Sequence, residues 1–105
     1  MIVNLLEETL EKLSENYKSP KDVIWVGKAN GSEASTFEEF SKMANFEYDS
    51  GFGSEEIRSD LVIVGNDWWL ARREYDGSEW WEYLKLPVPA KDQKKLIRIR
   101  TWLGD

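Results

Sequence analysis

Apolar side chains recur at Ile2, Leu6, Leu10, Leu13 and Tyr17, with Glu and Lys between them. Spacings of three and four put them on one helical stripe, and Ser19-Pro20 stops it, so a helix is expected over 2–17. Asp22-Val23-Ile24-Trp25-Val26-Gly27 is a short strand-like run, and a turn-rich stretch from Ala29 to Ser35 follows. Thr36-Phe37-Glu38-Glu39 has the form of a capping box and opens a second helix over about 36–45, with Phe37, Phe40 and Met43-Ala44 on its apolar face. From Phe46 to Glu56 aromatic, acidic and glycine residues mix without a period, which reads as a structured loop.

Leu61-Val62-Ile63-Val64 is apolar on both faces, as in a central strand, and Gly65-Asn66-Asp67 turns the chain. Trp68–Tyr75 and Glu79–Leu86 flank Asp76-Gly77, a strong hairpin signal. Pro87 and Pro89 end the sheet. The tail from Ala90 fits either a helix (Leu96, Ile99, Leu103) or an alternating strand (Ile97-Arg98-Ile99-Arg100); the helix is preferred. The expectation is one α+β domain over 1–105, an antiparallel three- to four-stranded meander packed with two or three helices.

A two-residue turn pairs Tyr75 with Ser78, Arg72 with Trp81 and Arg73 with Trp80. One face of the hairpin then shows Trp68, Leu70, Trp81 and Tyr83; the other shows Trp69, Ala71, Trp80, Leu84 and Leu86. Two alternatives stand. Either helices cover both faces and the indoles are core, with Arg72 and Arg73 stacked on them, or one face is left open as an aromatic patch that binds something.

Composition narrows the chemistry. The chain has 105 residues, 41% hydrophobic and 32% charged, which suits an ordinary globular protein. It has no cysteine and no histidine, so thiol nucleophiles, disulfides, imidazole bases and Cys/His zinc sites are excluded. No cofactor and no metal are expected, and no enzyme activity: carboxylate pairs are too plentiful to be specific, and no nucleophile elbow occurs. Asp49-Ser50-Gly51-Phe52-Gly53-Ser54-Glu55 lacks the ligand spacing of a calcium loop, and Gly51-Phe52-Gly53 lacks the rest of a phosphate-binding motif. Met1–Glu8 reaches acidic residues too soon for a signal peptide, and no apolar run approaches a membrane span, so a cytoplasmic location is expected.

Charge is unevenly placed. Residues 33–60 carry eight acids and two bases, a net −6 that equals the charge of the whole chain. Residues 91–105 carry five bases and two acids, a net +3. General binding to nucleic acid is disfavoured by the overall charge, although the basic tail and exposed tryptophans would suit a weak contact. The acidic segment is either a solvated surface or an imitation of a phosphate backbone that enters a basic groove of another protein.

Asp22-Val23-Ile24-Trp25-Val26-Gly27, Thr36-Phe37-Glu38-Glu39-Phe40, Phe46-Glu47-Tyr48-Asp49-Ser50-Gly51-Phe52-Gly53, Val64-Gly65-Asn66-Asp67-Trp68-Trp69-Leu70 and Glu74-Tyr75-Asp76-Gly77-Ser78-Glu79-Trp80-Trp81-Glu82 resemble small acidic uncharacterised proteins of bacteriophages and prophages of Gram-positive bacteria. The resemblance covers about residues 20–87; the first helix and the basic tail are less typical. It implies a small accessory protein, and such proteins often disable a host machine, anti-CRISPR proteins being one class. The leading expectation is a stoichiometric inhibitor of a nucleic-acid-handling host protein, such as a CRISPR effector nuclease. Glu38, Glu39, Glu47, Asp49, Glu55 and Glu56 are its candidate phosphate surrogates, with Tyr48 and Phe52 as loop anchors. The alternative is a phage structural or assembly protein that self-associates through an aromatic sheet face.

Overall fold

The computed structural model describes residues 1–51 and 53–101. Among these it is α+β, with two α-helices and two antiparallel sheets of two and five strands. The expected meander of three or four strands is therefore too small. Its central part, β5 (Leu61–Val64), β6 (Trp68–Tyr75) and β7 (Ser78–Lys85), runs as the alternation predicts. Asp76 and Gly77 both take positive φ (51° and 87°), as a primed two-residue turn requires. The register pairs Tyr75 with Ser78, Arg72 with Trp81 and Arg73 with Trp80.

Two further strands extend this sheet. β2 (Trp25–Lys28) pairs with β5, and β3 (Ala34–Ser35), inside the expected turn region, pairs with β2, giving the order β3-β2-β5-β6-β7. Gly27 permits that contact, since a Cβ there would sit 1.8 Å from the Glu33 carbonyl oxygen.

The chain begins differently from the expected helix. β1 (Ile2–Asn4) pairs with β4 (Glu47–Asp49), which lies inside the segment read as a loop. The first helix, α1 (Leu5–Glu15), starts where Asn4 caps it by accepting a hydrogen bond from the Glu7 amide. It buries Leu5, Thr9 and, of the expected stripe, Leu13; Leu6 packs partly buried against that core, while Ile2, Leu10 and Tyr17 are exposed. Thr9 tolerates burial because its hydroxyl donates to the Leu5 carbonyl (2.7 Å) and accepts from the Trp81 indole (2.9 Å). A one-turn 3-10 helix, Pro20–Asp22, follows.

The second helix, α2 (Phe37–Met43), forms the expected capping box: Thr36 Oγ1 accepts from the Glu39 amide, and Glu39 accepts from the Thr36 amide. Both helices lie on one face of the five-stranded sheet. Leu5, Leu13, Phe40 and Ala44 share a core with the cross-strand row Val26, Ile63 and Leu70, flanked by Trp68 and Trp81. Residues 90–101 contain no helix or strand, and Leu96, Ile97 and Ile99 are exposed, which overturns the preferred tail helix. A short helix needs a surface to bury its stripe against, and among the described residues Leu96, Ile97 and Ile99 are not buried against one. Leu103 lies outside the described residues. Among the described residues no helix is long and apolar enough to cross a membrane.

Gly65 lies beneath the Trp68 indole, where a Cβ would come 2.1 Å from Cε2 of that ring. G65A is expected to displace the indole and destabilise the protein by about 1–3 kcal/mol, measured by urea unfolding.

Candidate functional site

Strand alternation sends every second residue of the five-stranded sheet away from the helices. Trp25, Val64, Trp69 and Leu84 then form a straight row across four strands. Gly27, Val62, Ala71 and Glu82 form the row beside it, and Arg73 faces Trp80 beyond that. The first row is only half-buried and Trp80 is exposed. Arg73 does not stack on an indole here; it donates to Glu82 across the strands (2.9 Å). The result is an aromatic and aliphatic surface rimmed by charge, with Val62 and Ala71 buried at its middle and, among the described residues, no helix over it. Of the two sequence alternatives, helices covering both faces are not seen among the described residues.

The helix-side face carries the opposite surprise. Strand parity directs Arg72 and Glu79 into the core, where both side chains are 2% exposed and 3.2 Å apart. The Arg72 guanidinium lies 4.7 Å from the Trp81 ring centroid, donates to Tyr48 Oη (3.0 Å) and pairs with Glu8 at 3.6 Å. Tyr48 donates in turn to Glu8 (2.6 Å), and Glu79 accepts from the amides of Glu56 and Ile57. Burial first, and then the bond to Glu8, pushes the Tyr48 hydroxyl far above the ordinary phenol range. Sequence reasoning missed this cluster, although the parity that puts Leu70 and Trp81 inside puts Arg72 and Glu79 there as well.

The candidate acidic residues are distributed over several elements. Tyr48 faces the core, at 4% exposure, and is no surface anchor. Glu39 folds back on Thr36, and Glu38 reaches Lys42 at 3.8 Å, both on the separate helix α2. Asp49 pairs with the Met1 ammonium (2.9 Å) and its backbone N–H donates to Glu56 (3.2 Å), so these two acids are brought together beside Glu47 on β4. Glu47 and Glu55 are exposed. Phe52 lies outside the described residues. Glu33 and Asp60, the remaining acids of the segment, both clamp Arg58 at 2.9 Å. Hydrogen bonds from Arg58 hold both carboxyls below their usual range, and Arg58 is held more firmly protonated. Backbone and side-chain bonds from Thr36 lower Glu39, and the Met1 ammonium lowers Asp49.

An apolar cavity of about 240 Å³ opens between α2 and the segment before β5, lined by Leu5, Phe40, Met43, Phe46, Ile57 and Leu61. Among the described residues no three carboxylates converge to hold a metal ion. The chain matches no protein-family model, no curated protein and no solved structure.

Two outcomes follow from the charge geometry. E79A leaves the Arg72 guanidinium buried without its closest carboxylate and is expected to cost about 3–5 kcal/mol in urea unfolding. The double variant R72M/E79L, which removes both charges, is expected to recover only part of that loss, because the Glu56 and Ile57 amides still lack their acceptor. The second outcome concerns acid. Because Glu33 and Asp60 titrate lower when folded, the Arg58 clamp stabilises at neutral pH and is lost as pH falls below the unfolded carboxyl values of 4.5 and 3.8. R58Q is therefore expected to lower stability slightly at neutral pH and to flatten its decline toward about pH 3 in a urea titration series.

Proposed function

We propose that this protein works by binding, without chemistry, to another protein, and that the open face of the five-stranded sheet is its contact surface. The single observation that carries the reading is the stacking of both helices on one face while Trp25, Val64, Trp69, Trp80 and Leu84 line the other. A contiguous, half-exposed aromatic surface suits an interface, and tryptophan is among the side chains most enriched as interface anchors. The partner favoured is a protein with a basic nucleic-acid groove, in keeping with a phage accessory protein acting in the host cytoplasm, such as an inhibitor of a CRISPR effector nuclease. The net charge of −6 would speed approach to such a groove, and the apolar face would hold the complex.

A second reading puts the contact on the acids themselves as phosphate surrogates. Glu47 and Glu55, exposed on and beside β4, support it. Against it stand Glu33, Glu38, Glu39, Asp49 and Asp60, each engaged within the molecule.

One affinity capture from bacterial host lysate tests both. W25S/L84S removes the ends of the apolar row and is expected to lose the captured partner while a thermal melt stays cooperative. Capture unchanged in W25S/L84S would overturn the sheet-face reading. Loss in E47K/E55K with capture intact in W25S/L84S would transfer the contact to the acids.

A further inference from the structure

β7 is an edge strand and, among the described residues, nothing pairs along most of its outer side. Its even-numbered residues turn their backbone groups toward β6, as the Leu86 amide shows by donating to the Asp67 carbonyl (2.7 Å). Its odd-numbered residues turn theirs outward, as the Glu79 amide shows by donating to the Ser50 carbonyl (2.8 Å). The outward N–H groups of Trp81, Tyr83 and Lys85 have no partner among the described residues. The strand holds eight paired residues with no proline and no break in its ladder. An edge of that kind is a template for another strand.

The same chain carries a segment suited to it. Beyond Pro87 and Pro89, Leu96, Ile97 and Ile99 are 79–89% exposed, and Ile97-Arg98-Ile99 alternates as a half-buried strand does. The segment is basic, with Lys91, Lys94, Lys95 and Arg98 near one acid, Asp92. Beside the β7 edge, between that strand and α1, runs a groove of about 170 Å³ lined by Glu8, Glu11, Lys12, Glu15, Trp80 and Trp81. Lys12 there is already paired with Glu15.

We infer that residues 94–99 form an arm that adds as a strand to the free β7 edge of a second copy of this chain. Alternation fixes which side of the arm faces where. Ile97 and Ile99 lie beside Trp80 and Leu84 on the open face, and Leu96 and Arg98 lie on the helix side, next to the acidic groove. The opposite parity would set Arg98 on the tryptophans and both isoleucines against carboxylates. A second copy is the occupant because Pro87-Val88-Pro89 holds the chain extended as it leaves β7, which opposes a tight return onto the same strand. The inference rests on the strand edge and shares only Trp80 and Leu84 with the sheet-face reading.

Sedimentation velocity across a concentration series tests it. The full chain is expected to self-associate, more weakly at high salt, and I97D/I99D and E11K/E15K are each expected to weaken association on the order of tenfold or more. The substituted isoleucines are exposed, so a fold defect does not account for the loss. A strict monomer at every concentration would overturn the arm, and so would a monomer whose Trp81 and Tyr83 amides resist hydrogen exchange, which marks the chain's own tail on the edge. A dimer undiminished by I97D/I99D would also overturn it. Lysate capture retained by I97D/I99D separates the fate of the arm from that of the sheet face.

Discussion

The two-residue turn at Asp76-Gly77 sets which atoms of this protein meet water. Its positive backbone angles pin the β6–β7 register, and a one-residue slip would exchange the two faces of either strand. In the register observed, Trp68, Leu70, Arg72, Glu79 and Trp81 all point toward the helices. Trp69, Trp80 and Leu84 all point away. Both the core and the open surface are consequences of that one alignment.

Inside, the alignment places a charge where burial alone would forbid one. Arg72 is accommodated because it meets Glu79, Glu8, Tyr48 and the Trp81 ring at once. Those partners come from β7, α1 and β4, so the cluster joins the two-stranded sheet to the five-stranded one. Thr9 and the Trp81 indole tie the helix to the same spot. These polar contacts lie within the same core that Leu5, Leu13, Tyr48 and Trp81 build.

Outside, the alignment leaves two unsatisfied features side by side, an apolar face and a bare strand edge. They present different chemistry to a partner: the face offers area and the edge offers directed hydrogen bonds. The acidic segment plays a more local part than its net charge suggests. Most of its carboxylates close a cap, an ion pair or a clamp, which costs them freedom to reach a foreign surface but not their contribution to the long-range field.

Much of the fold was legible in the chain itself, because it rests on local rules. The capping box at Thr36, the Asp76-Gly77 hairpin, the cross-strand pairs of Arg72 and Arg73 and the partition of tryptophans between two faces follow from period and turn chemistry alone. Other features needed partners distant in sequence. Strands β1 and β4 exist because Ile2–Asn4 and Glu47–Asp49 find each other across more than forty residues, which no window reveals. Thr9 is core only because Trp81 reaches it, and Tyr48 turned inward only because Arg72 was there to receive it. Among the described residues the tail forms no helix, because its apolar residues Leu96, Ile97 and Ile99 lie exposed rather than buried against the domain. Local sequence decided which side of each strand a residue takes; tertiary contact decided which of those sides is covered.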